Sequence, residues 1–144
     1  MSSVSTMPSR APVRGWTIET SKRFWAKPSL EHIRGIDAII APDIVGYWPR
    51  PIGVVKGAKP YAEVIEDLLV AVPDLSLSVP DYAVSGNLTF VRWLATGTGP
   101  DGRFEALGCD RVRVRDDGLV VENYVFCDHP FFEAVAERNR RRLP

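Results

Sequence analysis

The amino-acid sequence predicts an α+β fold in which helices pack on one side of a curved antiparallel sheet. Three observations indicate this class. Apolar residues recur at helical spacing in the first half of the chain, they alternate with polar residues in the second half, and proline and glycine separate the segments. Helices that precede a run of strands are typical of α+β domains, whereas α/β domains alternate the two.

The length of the chain fits one domain. It has 144 residues, of which 45% are hydrophobic and 25% are charged, a composition typical of globular rather than disordered proteins. Residues 1–14 are rich in Ser, Pro and Arg and show no periodicity. We therefore expect a flexible leader over 1–14 and a single domain over 15–144.

Three helical segments are predicted before the main run of strands. Residues 17–26 carry apolar side chains at helical spacing and end before Pro28. Ser29 is a suitable N-cap for a second short helix, which ends near Pro42. The spacing in 61–69 is that of an amphipathic helix with one core face.

Five segments have the composition of strands, and a C-terminal helix is predicted over 131–139. The strand segments are 43–51, 75–79, 88–96, 104–115 and 119–127. The first contains glycine, aromatic residues and two prolines, which suits a short edge strand. The other four form an antiparallel meander, whose last turn is an Asp-Asp-Gly hairpin.

The strand over 104–115 has the clearest alternation. Asp110 shares one face with Val112 and Val114, while arginines occupy the other, so the face of Asp110 is the core face. Desolvation there disfavours the carboxylate, which raises its pKa and lets Asp110 donate a proton to a substrate oxygen. The alternative is a structural hydrogen bond or ion pair with a nearby tyrosine or arginine.

The charges and cysteines exclude several classes of protein. Lys plus Arg and Asp plus Glu number 18 each, so no global field attracts nucleic acid or an anionic membrane. No stretch approaches the roughly 18 apolar residues of a membrane span, and we expect a cytoplasmic protein. Cys109 and Cys127 lack the number and spacing of disulfide scaffolds and zinc sites, so no metal site is expected.

The segment GCDRVRVRDDGLVVENYVFCD, residues 108–128, resembles the last two strands of the nuclear transport factor 2-like superfamily. This superfamily includes SnoaL-like polyketide cyclases and ketosteroid isomerases. The upstream order of PDIVGYWP, Gly57 and VPDLSLSV agrees with it, and the resemblance covers roughly 17–128. It implies a cone-shaped α+β barrel, in which a strongly curved antiparallel sheet wraps around N-terminal helices, and a homodimer without cofactor.

The resemblance also implies roles for single residues. Asp110 matches the protonated aspartic acid with which the isomerases stabilise an oxyanion. Trp48 stands where the isomerases carry their base, and Val125 stands where SnoaL-type cyclases and limonene epoxide hydrolases carry a catalytic aspartate. Gly108 replaces an arginine of the epoxide hydrolases, so none of the three acid/base sets is complete. The missing base would then come from an unconventional position such as His129, near the expected rim of the cone, from water, or from the substrate.

Other inward positions are candidate contacts to the ligand. The expected substrate-binding residues are Tyr47, Trp48, Trp93, Asn123, Val125 and Cys127. Asn123 could orient a carbonyl group or satisfy Asp110, and the aromatic residues could form walls for a flat ligand or belong to the core or a dimer interface. Arg92 takes the face opposite Trp93, either at the surface or inward as a partner of Asp110 or of an anionic substrate. His32 is less favoured than His129.

These observations predict a small-molecule enzyme of isomerase, cyclase or lyase type. Its substrate would be a hydrophobic carbonyl or polyketide-like compound, with Asp110 as general acid or oxyanion stabiliser. One alternative is a non-catalytic module that binds a small ligand or a partner, with Asp110 ion-paired and the cone filled by Trp48 and Trp93. Another is a structural dimer that pairs through the sheet face bearing Tyr124 and Phe126.

Overall fold

The computed structural model describes residues 15–142, so the predicted leader over 1–14 lies outside the described residues. The helices are α1 (Ile18–Ala26), α2 (Leu30–Ile33), α3 (Ala58–Ala71) and α4 (Phe131–Arg140), with a 3-10 turn at Ile36–Ala38. The strands are β1 (Ile40–Trp48), β2 (Gly53–Lys56), β3 (Ser76–Ser85), β4 (Leu88–Gly99), β5 (Gly102–Val114) and β6 (Val120–Phe126). This mixture of helices and one sheet confirms the predicted α+β class.

The helix ends follow local sequence signals. Thr17 caps α1, and its side chain and that of Thr20 bond to each other's backbone N–H groups in a capping box. Ser29 caps α2 by accepting a hydrogen bond from the N–H of His32. Helix α2 is shorter than predicted because the chain passes through the 3-10 turn, and the apolar residues from Ile40 onward belong to β1.

All six strands form one sheet in the order β2-β1-β6-β5-β4-β3. The predicted antiparallel meander is present from β3 to β6. Strand β1, however, pairs in parallel with β6, so the edge prediction for 43–51 is wrong and β2 is the edge strand on that side of the sheet. The prolines do not break this pairing because Pro42 lies at a register shift and Pro49 and Pro51 follow the strand.

Helix α4 is held against α3 by a buried carboxylate. Asp67 of α3 is 1% exposed. Arg142 donates from Nε to both carboxylate oxygens at 3.1 and 3.0 Å, and Asn139 donates from Nδ2 at 3.1 Å. These bonds fix the C-terminal end of α4, whose first turn carries Phe131 and Phe132 into the core. Among residues 15–142, no helix is long and apolar enough to cross a membrane.

Candidate functional site

The inner face of the sheet and the helices enclose a cavity of about 280 Å³. Its lining is mostly apolar, and aromatic side chains make up much of the wall: Phe24, Trp25, Trp48, Trp93, Phe131 and Phe132. The exposed lining residues His32 and Gly35 belong to α2 and the turn after it, which marks the entrance. A concave apolar space with a few polar groups is the usual form of a small-molecule site.

Asp110 is the acidic residue in this wall. Its Oδ1 accepts a hydrogen bond from Trp93 Nε1 at 2.9 Å, and its Oδ2 accepts one from Asn123 Nδ2 at 3.3 Å. Both donors are neutral, and among residues 15–142 no arginine, lysine or histidine forms a salt bridge with Asp110. Burial raises the pKa of Asp110 to about 6, although the bonds from Trp93 and Asn123 act in the opposite direction.

Gly108 is what allows Trp93 to reach Asp110. Trp93 lies directly opposite Gly108 in the β4–β5 ladder, and Asp110 is two residues further on the same face of β5. A Cβ atom at residue 108 would lie 2.1 Å from the Trp93 ring. The indole therefore crosses β5 over the glycine, and its neutral N–H bonds to the acid.

Substituting Gly108→Ala should therefore disturb the acid as well as the packing. We expect the indole to move off β5 and lose its hydrogen bond, so the pKa of Asp110 should rise further above about 6. The free energy of unfolding should fall by about 1–3 kcal/mol from overpacking. Carbon-detected NMR titration of the Asp110 carboxyl and urea unfolding measure the two effects.

Gly99→Ala is the matched control, because a Cβ atom at residue 99 would meet Phe104 at 3.7 Å, which is ordinary contact. That variant should leave the pKa of Asp110 unchanged. An unchanged Asp110 pKa in Gly108→Ala would contradict the role assigned to the glycine.

Asn123 joins Asp110 to Tyr61. It is 6% exposed and also donates from Nδ2 to the hydroxyl of Tyr61 at 2.8 Å, so it satisfies Asp110 and a residue of α3 together. Burial raises the pKa of Tyr61, the bond from Asn123 lowers it, and the charge of Asp110 raises it. The helical spacing of Tyr61 predicts only a core position, and the one further signal in the sequence is that a buried tyrosine hydroxyl needs a partner.

The structure brings most of the predicted ligand contacts to the cavity. Trp48, Trp93, Asn123 and Val125 line it together with Asp110. Tyr47 does not, because neighbouring residues of a strand face opposite sides and Trp48 takes the inner one. The ring of Tyr47 instead stacks on Tyr124 across the outer face of the sheet, with 4.0 Å between the ring centroids. Its prediction as a cavity wall is wrong.

Cys127 and His129 also lie apart from the cavity, because β6 ends at Phe126 and the chain then turns toward α4. Cys127 packs against the core without lining the cavity, and burial raises the pKa of its thiol. His129 packs on Phe104 and Phe131, and its Nδ1 accepts a hydrogen bond from the N–H of Phe131. The structure therefore does not bring His129 together with Asp110.

His32 is the histidine that lines the cavity. It lies at the entrance on α2, beside the ring of Phe24. The sequence does not distinguish it, because its position over the cavity results from α2 ending after about one turn. Arg92 points to the outer face, as expected from its neighbour Trp93, and forms a two-bond ion pair with the exposed Asp81 at 3.0 Å.

Comparison with known proteins agrees with this architecture. A family model described as a SnoaL-like domain matches residues 23–123. The solved structure of IdmH from Streptomyces antibioticus, a candidate polyketide cyclase, is 26% identical, with a TM-score of 0.64, over 83% of this chain and 95% of that chain. No curated protein matches the chain.

Two further solved structures share the fold at lower identity. A candidate SnoaL-like polyketide cyclase from Jannaschia sp. CCS1 is 18% identical, with a TM-score of 0.65, over 90% of this chain and 98% of that chain. A protein with a cystatin-like fold from Xanthomonas campestris is 19% identical, with a TM-score of 0.65, over 82% of this chain and 95% of that chain. These likenesses confirm the cone-shaped α+β architecture of a sheet curved around helices.

Proposed function

The chain belongs to the SnoaL-like domain family, and from that premise we propose that its cavity converts a hydrophobic carbonyl compound, with Asp110 as general acid or oxyanion stabiliser. The family supports a small-molecule enzyme of cyclase or isomerase type in general. The 26% identical IdmH, a candidate polyketide cyclase, favours a polyketide-like substrate.

One observation carries the proposal. Asp110 is a carboxyl group in the wall of an apolar cavity, and it is held by two neutral donors without a cation. An acid in such a place keeps its proton to a higher pH than an exposed one, and its pKa is raised to about 6. When protonated, it can donate to a carbonyl oxygen and stabilise the negative charge that develops there.

Two features speak against the alternative of a non-catalytic module. That alternative expects an ion-paired Asp110, whereas its partners are Trp93 and Asn123. It also expects Trp48 and Trp93 to fill the cone, whereas a cavity of about 280 Å³ lies between the walls that they help to form.

We also propose that the chain pairs with a second copy through the outer face of the sheet. The rings of Tyr47, Tyr124 and Phe126 form a continuous stack there, with ring centroids 4.0 and 6.1 Å apart. Phe126 is 54% exposed. Tyr47 and Tyr124 are half-buried, and a partly exposed aromatic row is a surface that association would cover.

Deuterium exchange at the α-carbon of 2-tetralone tests the proposed chemistry without knowledge of the natural substrate. A hydrogen bond from Asp110 to the ketone oxygen makes the α C–H more acidic, and water or a buffer base removes the α-proton, so the protein should accelerate exchange over buffer. The acceleration should decline as the pH rises through about 6, where Asp110 loses its proton. NMR follows the exchange, and quenching of tryptophan fluorescence measures binding. Exchange no faster than in buffer from pH 5 to 8, with the ketone bound, would rule the proposal out.

A further inference from the structure

The hydroxyl of Tyr61 has a proton that the protein does not use. Tyr61 is 6% exposed and lines the cavity. Its oxygen accepts a hydrogen bond from Asn123 Nδ2 at 2.8 Å, and among residues 15–142 no group accepts the hydroxyl proton. A buried hydroxyl is both donor and acceptor, so its proton is available for another partner.

Asp110 fixes the direction of this hydroxyl through Asn123. Asn123 Nδ2 donates to Asp110 Oδ2 at 3.3 Å as well as to Tyr61. An ionised carboxylate only accepts hydrogen bonds, so it requires the NH₂ side of the amide to face it. That side then also faces Tyr61, which must accept, and the tyrosine proton is turned away from Asn123.

From this geometry, and resting on the proposed function, we propose that the Tyr61 hydroxyl donates a hydrogen bond to the carbonyl oxygen of the substrate while Asp110 is ionised. Asn123 is the positioning residue that directs it. The other two hydrogen-bond donors near Asp110 are not available to a ligand. Trp93 Nε1 bonds to Asp110, and Asn123 Nδ2 bonds to both Asp110 and Tyr61.

Trp48 does not compete for the same ligand oxygen. Its Nε1 is buried, and a Cβ atom on Gly46 would lie 2.7 Å from it and 2.7 Å from the Tyr61 ring. The indole N–H thus lies inside the wall beside Gly46.

Because Tyr61 offers a donor to the cavity, the site should prefer ligands that present an acceptor oxygen, such as ketones, over hydrocarbons of the same shape.

The role of Tyr61 should depend on pH through Asp110. Asp110, Asn123 and Tyr61 form the hydrogen-bonded group at the cavity wall. The titratable residues in and around it are Asp110, Tyr61, Cys109 beside Asp110 on β5, Cys127 after the end of β6, and His32 at the entrance. Above about pH 6 Asp110 is ionised and Tyr61 is the donor. Below that pH Asp110 carries a proton and can donate to the ligand itself.

The test compares 2-acetylnaphthalene with 2-isopropenylnaphthalene, in which CH₂ replaces the ketone oxygen. Their affinities are measured by tryptophan quenching at pH 8 and pH 5. Tyr61→Phe should lower the ratio of ketone to hydrocarbon affinity by about 3- to 10-fold at pH 8, the size of one hydrogen bond. The loss should be smaller at pH 5. Tyr47→Phe, on the outer face, should leave the ratio unchanged.

Further variants separate this inference from the proposed function. Asp110→Asn should lower the ratio at pH 5, and His32→Gln should preserve the pH trend. An unchanged ratio in Tyr61→Phe at pH 8, with the effect of Asp110→Asn present at pH 5, would overturn the role of Tyr61 and keep that of Asp110. Equal affinities of wild type for the two compounds, or no binding, would overturn both. If Tyr61→Phe does not fold, Asn123→Leu releases the hydroxyl and should shift the ratio in the same direction at pH 8.

Discussion

Replacing Asp110 by asparagine is expected to slow the catalysed exchange of ketone α-protons by about 100-fold at pH 5. Asparagine keeps the shape of the side chain and can still accept the hydrogen bond from Trp93. It cannot carry the transferable proton of a carboxylic acid, so the loss should appear in the exchange rate as well as in ketone affinity at pH 5. Rates and affinities are measured for wild type and variant on the same preparations.

Asp101→Asn is the matched control for this substitution, because Asp101 is exposed in the turn between β4 and β5. Its rate should equal that of wild type. If Asp110 has a structural role alone, Asp110→Asn would change the stability of the fold and leave the exchange rate per folded molecule unchanged. That result would remove Asp110 from the chemistry.

The second large effect of Asp110→Asn is on the free energy of unfolding. The substitution lowers the exchange rate but should raise this free energy at pH 8. The pKa of Asp110 is about 6 in the folded protein, compared with the ordinary value of 3.8 that applies to the unfolded chain. Below pH 3.8 Asp110 is protonated in both the folded and the unfolded protein, so it does not change the free energy of unfolding. Between these values the unfolded chain has released the proton and the folded chain has not, so stability falls as the pH rises. At pH 8 the loss reaches at most about 3 kcal/mol.

The asparagine variant should therefore be more stable than wild type at pH 8, and the difference should shrink toward pH 4. Urea unfolding at several pH values measures it. Asp74, Asp81 and Asp117 have lowered pKa values and lose their stabilising effect in acid, but they are present in both proteins and cancel in the difference. Parallel stability curves for the two proteins would contradict the raised pKa.

The sequence predicts the inner face of the meander because strand alternation is a local property. The period of two places Asp110 on the core face of β5, the family resemblance implies the same side for Asn123, and the structure has both in the cavity wall. The same rule puts Tyr47 outside once Trp48 is inside, so two neighbours of β1 could not both be walls. Alternation does not predict where Cys127 and His129 lie, because it holds only within a strand and β6 ends at Phe126.

Other features depend on contacts between distant parts of the chain. The parallel pairing of β1 with β6 depends on competition among strand edges, which composition does not encode. The bond from Trp93 to Asp110 needs the open space over Gly108 on a neighbouring strand. The periodicity of α3 predicts that Tyr61 is buried, but what its hydroxyl meets is decided by Asn123, 62 residues further along the chain.

The pairing of Gly46 with Asn123 also sets the order in which the molecule can be assembled. On the ribosome, β1 and β2 emerge before β6, and the edge of β1 that pairs with β6 stays open until the whole meander has been synthesised. Contacts so far apart in sequence slow folding, and open edges favour association with other chains. The wall that carries Trp48 meets the wall that carries Asn123 only when β6 docks. We therefore expect the proposed ligand site to be complete only near the end of folding.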